Sequence, residues 1–316
     1  MSWGWFEGGQ CENAPDEGPC SGGGGEPASF AYVEATNAGF LAATARGVTI
    51  VVASGDAGAH GRSDPSCESA APLPDWPASS PYVLTVGGTQ LIHGVALENP
   101  KSPLCAQTGS CAGNGTEIVC LHHSGSLITS GGGFSLVASQ PPWQANAVRT
   151  YLASGALLPK PGEFNATNRG YPDVAAFAHN IAAFQDGLVQ VGVPVGHGSS
   201  TGAALECHLR PPPTSTPHLQ LDGTSAAAPI VAAYIAAANA QRVALGKPTL
   251  GFVNPAIYSI AARQTGAFTD IVEGDNTCTG VCKAGCSGYG AAKGWDAVTG
   301  WGSPVVSVLL PALASL

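Results

Sequence analysis

The sequence predicts an α/β fold, a doubly wound and mostly parallel sheet with flanking helices, and three segments carry that expectation. A helical pattern opens at Pro27, runs through Phe30, Val33, Asn37, Phe40 and Leu41, and stops where Gly47 supplies a C-terminal cap. The β-branched run Val48-Thr49-Ile50-Val51-Val52-Ala53 follows at once, as in a strand buried on both faces. Tyr82-Val83-Leu84-Thr85-Val86 repeats the pattern and is expected to end at Gly87-Gly88.

The other segments fit around this frame. Residues 7–26 are rich in Gly, Pro, Cys and acid and read as a loop. Residues 98–125 read as an irregular Cys-containing insert, Gln144 to Leu152 as a short helix, and Leu188 to Val193 as a strand. An extended loop spans 194–218, an Ala-rich helix 226–244, and glycine-rich coil 266–304. No internal repeat is visible, and 1–316 reads as a single domain.

Composition excludes several classes. With 44 % hydrophobic and 10 % charged residues the chain is no disordered polyelectrolyte, and its glycines follow no collagen period. A net charge of −9 without any Lys/Arg cluster argues against nucleic acid and anionic membrane as partners. The most apolar stretch, Ala226 to Ala238, is too short to span a bilayer. Ten cysteines and the sequons at Asn114 and Asn165 favour disulfides and a secreted or lysosomal/vacuolar compartment. Zinc is the alternative for Cys278, Cys282 and Cys286, but the trio has no nearby histidine; pairing is open. The opening Met1-Ser2-Trp3-Gly4 has no signal-peptide character, which leads to the expectation that an N-terminal part precedes it.

Two motifs carry chemistry. Gly223-Thr224-Ser225-Ala226-Ala227-Ala228-Pro229 places a serine at a helix start, where unpaired N–H groups and the positive helix end can hold an oxyanion. Ser54-Gly55-Asp56-Ala57-Gly58 places an aspartate just past a buried strand, where α/β sheets bind ligands. Either residue is also explained as a cap.

Together, in this order, the motifs resemble subtilisin-like folds, and Asp56 in place of the asparagine of subtilisins resembles the sedolisins, or serine-carboxyl peptidases. The resemblance extends over nearly the whole chain, through Ser2-Trp3-Gly4 with Glu7, Ser130-Gly131-Gly132-Gly133-Phe134-Ser135, Arg169-Gly170-Tyr171-Pro172-Asp173-Val174 and Gly251-Phe252-Val253-Asn254-Pro255. It implies Ser225 as nucleophile and a protonated Asp56 as oxyanion donor, hence acidic working conditions. It further implies Ser2, Trp3, Gly4, Gly131 and Gly132 as substrate-binding residues for a peptide or protein. Phe268-Thr269-Asp270-Ile271 and Gly294-Trp295-Asp296 resemble the family's calcium site, which implies one Ca²⁺ held by Asp270, Asp296 and the carbonyls of Ile271, Ala292 and Gly294.

In the family a Glu base and an Asp orienting it lie four residues apart on a helix upstream of Ser-Trp-Gly. The expectation is therefore that this pair and a prodomain lie outside residues 1–316, and that these residues alone are inactive. Glu12 and Asp16 share the spacing but read as solvated loop acids. Leu221-Asp222 departs from the residues that often lead into Gly-Thr-Ser. The leading expectation is an endopeptidase or tripeptidyl-peptidase, in flavour nearest the lysosomal tripeptidyl-peptidases. The alternatives are a calcium-stabilised pseudopeptidase that binds peptides and a subtilisin relative with an upstream His base.

Overall fold

The structure is a computed structural model that describes residues 1–22, 24–92, 116–185, 188–191, 221–280 and 285–316. Its axis is the strand Leu84–Ile92. Val86 pairs in parallel with Ala53 on one side and Val174 on the other, so the strands Val51–Ala53 and Val174–Phe177 flank it. Further along, Thr89 faces both Phe177 and Val119, which puts the antiparallel strand Thr116–Val119 on the Val51–Ala53 edge.

Both faces are covered, and strand alternation decides what goes where. Val52 and Val83 join a small cluster with Ala78, Tyr171, Phe40 and Ile50, on the side of the helix Glu26–Ala45. Ala53, Leu84 and Val86 join the main core with Ala227, Ala228, Val231 and Ile235. These last belong to the helix Thr224–Ala244, which packs across the three parallel strands. Burying each Val or Ile there contributes about 1.5–3 kcal/mol. Asp173, fully buried, accepts from Arg169 Nη2 (2.7 Å), Thr85 N (2.8 Å), Asn254 Nδ2 (3.0 Å) and Tyr258 Oη (3.0 Å), joining two strands to the helix Asn254–Arg263.

The doubly wound α/β architecture and its helices follow the sequence expectation, with instructive departures. The strand begun at Leu84 runs through Gly87-Gly88 instead of ending there. A Cβ at Gly88 would lie 2.9 Å from the Ala178 Cβ and 3.2 Å from the Thr224 methyl, so glycine marks close packing against the serine helix. The expected insert contributes a strand at Thr116–Val119, which Glu117 anchors by accepting from Thr89 and Ser303. Residues 7–26 hold short helical turns, at Gln10–Asn13 among others.

Cysteines pair as Cys11–Cys20 and Cys67–Cys286, and Cys278 is also disulfide-bonded, so the Cys278 to Cys286 trio is no zinc site. Cys120 is a buried free thiol. Cys105, Cys111, Cys207, Cys282, Asn114, His197, His208 and His218 lie outside the described residues. Among those described, no helix is long and apolar enough to cross a membrane.

Candidate active site

Gly223 is the N-cap of the serine helix, Thr224 its first residue and Ser225 its second. Ser225 therefore makes no cap through its side chain, and its half-buried hydroxyl donates instead to the Ser2 carbonyl at 3.1 Å. Alanines at 226–228 keep this end of the helix slim, and Pro229, inside the helix as its sixth residue, leaves the Ser225 carbonyl without a helical N–H; that carbonyl accepts instead from Ser2 Oγ (3.5 Å).

Asp56 reaches beyond its own turn to the serine helix. Its Oδ1 accepts from Thr224 N at 2.8 Å and from Thr224 Oγ1 at 2.7 Å, across 168 residues of sequence. The carboxyl thus satisfies a first-turn amide of the serine helix and sits one residue from Ser225. The run leading to Gly131 lies alongside, with Thr129 N donating to Asp56 O (3.1 Å) and Gly131 N to Gly55 O (2.8 Å).

A narrow cleft beside these residues is lined by Ser2, Trp3, Gly4, Asp56, Arg62 and Asp75. The Arg62 guanidinium lies 3.7 Å over the Trp3 ring, whose face attracts a cation. Main-chain bonds from Met1 N to Val51 O (2.7 Å) and from Ala53 N to Met1 O (2.9 Å) place the first residues along the Val51–Ala53 edge. Gly131 and Gly132 are both buried under neighbouring backbone. A Cβ on Gly131 would collide with the Ser54 carbonyl, and one on Gly132 with the Ala297 carbonyl.

Asp75 escapes sequence reasoning. It is buried, and its Oδ1 has no hydrogen-bond partner. Burial pushes its carboxyl up to about 7, Arg62 opposing and the Asp56 and Glu7 charges adding. The signal available was weak, an acid set between Pro74 and Trp76-Pro77 in an otherwise apolar stretch. Glu7 is also buried. Burial raises its carboxyl above the usual range, while bonds from Ser79, Ser135 and Leu136 N oppose the shift.

Among the described residues no imidazole bonds the serine. His60 bonds Asp64 (3.2 Å) and the Ser287 carbonyl (3.1 Å), away from Ser225. Glu12 and Asp16 are exposed, as the sequence implied.

At the tail, both carboxylate oxygens of Asp270 accept from Gly294 N (3.1 and 3.0 Å). Buried Asp296 accepts from Ala292 N (3.0 Å), Val298 N (2.9 Å) and Thr299 N (2.8 Å). The 292–296 loop is thereby folded onto Asp270 and its neighbour Ile271. Burial outweighs those hydrogen bonds and pushes Asp296 up to about 7. Among the described residues no three His, Cys, Asp or Glu side chains gather to hold a metal, so any ion there would take its other ligands from carbonyls.

Comparison with known proteins gives a consistent picture. The profile of the Subtilase family matches residues 1–249. Physarolisin of Physarum polycephalum is 41 % identical over 323 residues, covering 100 % of this chain and 49 % of that protein. Tripeptidyl-peptidase 1 of Canis lupus familiaris is 36 % identical over 290 residues, covering 90 % of this chain and 40 % of its own length. The chain thus spans half or less of these curated relatives. A solved Pseudomonas sedolisin (serine-carboxyl proteinase), complexed with two molecules of pseudo-iodotyrostatin, superposes with a TM-score of 0.60 at 24 % identity, over 100 % of this chain and 64 % of that one, which speaks to the fold.

Proposed function

We propose, for a chain that belongs to the subtilase family and to its sedolisin branch, a serine-type peptidase that cleaves peptides or proteins at acidic pH. The observation that carries this reading is the docking of Asp56 on Thr224, which brings a carboxyl to the first residue of the helix on which Ser225 is the second. Ser225 is the nucleophile toward a substrate carbonyl. The oxyanion that forms is held by first-turn amides and by a protonated Asp56, which donates only while it keeps its proton. Ser2, Trp3, Gly4, Gly131 and Gly132 line the substrate's path. The relatives named tripeptidyl-peptidases make tripeptide release one form of the activity, and endoproteolysis is the other.

A base is still needed to take the serine proton. The Ser225 hydroxyl donates to a carbonyl, and no described imidazole or carboxylate accepts it. In this reading a Glu and its Asp partner are supplied from upstream, next to a prodomain, and residues 1–316 alone are inactive. The same hydroxyl-to-carbonyl contact favours, as a second reading, a pseudopeptidase that binds peptides without cleaving them. A secreted or lysosomal setting fits the disulfides and the exposed Asn165 sequon.

Calcium belongs to the proposal. Asp270 and Asp296, with the carbonyls of Ile271, Ala292 and Gly294, offer the oxygen-only donors a hard cation takes, and a buried carboxylate is a group that a cation keeps ionised. The ion would supply loop order, not a reaction step.

The test is peptide hydrolysis by the full-length protein at acid pH, beside Ser225→Ala, Asp56→Asn and Asp56→Ala. Activity lost in Ser225→Ala and reduced in both Asp56 variants is the expected result. Full activity in both Asp56 variants defeats the oxyanion role, and inactivity of the wild type favours the pseudopeptidase.

A further inference from the structure

Asp222 breaks the pattern that leads into Gly-Thr-Ser, and the structure gives it an unusual set of partners. Its side chain is fully buried and three residues before Ser225. Oδ2 accepts from Leu127 N (2.6 Å), Ser126 Oγ (2.8 Å) and His179 Nδ1 (3.0 Å), and Oδ1 accepts from Asn180 N (2.7 Å). Burial pushes the carboxyl upward, yet the bonds from His179 and from the amides of Asn180 and Leu127 hold it below the ordinary range.

Each partner leads back to the site. Leu127 begins the run to Thr129 and Gly131, whose amides donate to Asp56 O and Gly55 O. Asp56 in turn holds Thr224, two residues after Asp222. On the other side, Gly223 N donates to Ala178 O (2.8 Å) and Ile181 N to Leu221 O (2.9 Å), so the 178–181 turn runs beside the serine's approach. Within that turn Asn180 has φ +53, in the left-handed region, and its amide is one that Asp222 receives. Such conformations persist only where surrounding contacts over-determine them, and they cluster at functional sites.

We propose that Asp222, supported by His179, is a positioning residue for catalysis, one that fixes Ser225 relative to the Gly131-Gly132 run and to Asp56. The hydrogen bonds form a closed circuit, from Asp222 through 126–131 to 55–56, on to Thr224 and back. A single buried charge accepting two main-chain amides from two different segments makes that circuit directional: a neutral group of the same shape cannot accept all four donors. The inference rests on the serine-peptidase reading of Ser225, and its test separates the two.

The variant is Asp222→Asn in the full-length protein, which keeps the shape but turns one acceptor into a donor. Positioning predicts a kcat at least tenfold lower with KM within threefold. It also predicts a matching loss of affinity for a peptide aldehyde, which forms a tetrahedral adduct on a serine. His179→Gln, a milder change, should move kcat the same way by a smaller factor and serves if Asp222→Asn does not fold. Amide exchange at residues 178–181 and 223–226 should quicken in both variants. A kcat and aldehyde affinity within twofold of wild type overturns the proposal. So does a parallel fall in kcat, substrate binding and Tm, which marks a merely structural role. If the wild type neither cleaves peptides nor binds the aldehyde, the serine-peptidase reading fails by itself. Amide exchange then decides the positioning question, and unchanged exchange in Asp222→Asn overturns it.

Discussion

Thr224 gives both its main-chain N–H and its hydroxyl to one oxygen of Asp56, so the aspartate is at once the helix's cap and the serine's neighbour. The two roles separate by substitution. Asp56→Asn keeps an oxygen for the Thr224 amide, and Asp56→Ala does not. Asp56→Ala is expected to lose about 1 kcal/mol of stability, as for a deleted N-cap, and Asp56→Asn much less. Urea unfolding of the two variants checks this independently of any activity.

Asp75 predicts an acid-stable protein. Its folded pKa, near 7, lies above the unfolded value of 3.8, so the folded state binds the extra proton between those limits. Its contribution is therefore fully present below about pH 4 and is lost as pH rises through about 7, a swing on the order of 4 kcal/mol. Asp75→Asn should flatten the fall in Tm between pH 4 and 7.5. An unchanged slope removes Asp75 as the cause.

The Arg169–Asp173 pair is buried on both sides, and Asp173 accepts four hydrogen bonds. Asp173→Ala leaves an uncompensated guanidinium in the core and is expected to cost about 3–5 kcal/mol. Replacing the pair together by apolar residues should cost less than that. Denaturant midpoints for the single and double variants read the difference.

Calcium is checked on the full-length protein by thermal melting with and without EDTA. The Tm should fall on chelation and return with added Ca²⁺, and Asp270→Asn should blunt the response. A Tm indifferent to EDTA removes the metal assignment.

What the sequence disclosed depended on how local the physics is. Val48 to Ala53 and the Ala-rich helix at Ser225 are legible because strand burial and helix packing impose period and composition on neighbouring residues. Gly87-Gly88 misleads because glycine punctuates chains and also admits close packing, and only the Ala178 and Thr224 contacts distinguish the two. Thr116–Val119 hides because it is short and follows a run of turn signals ending in Asn114-Gly115, and its pairing is set by the far half of Leu84–Ile92. Ser225 and Asp56 could each pass for a cap. Asp56 meets the serine helix, at Thr224, only across 168 residues, and it took a motif pattern to suggest the relation. Asp75 is the harder case: an acid becomes unusual through burial, and burial is a property of the folded molecule.

The packing of Gly131 and Gly132 bears on how the region around this cleft can be altered. Main chain lies against main chain there, and a side chain at either position has nowhere to go. A saturation library across the cleft should therefore divide sharply, with almost no functional members at 131 and 132 and a wide tolerance at exposed Trp3. On the peptidase reading proposed above, selection for new substrate preferences would be confined to the Trp3 side, and its winners would leave the packed glycine run as it is.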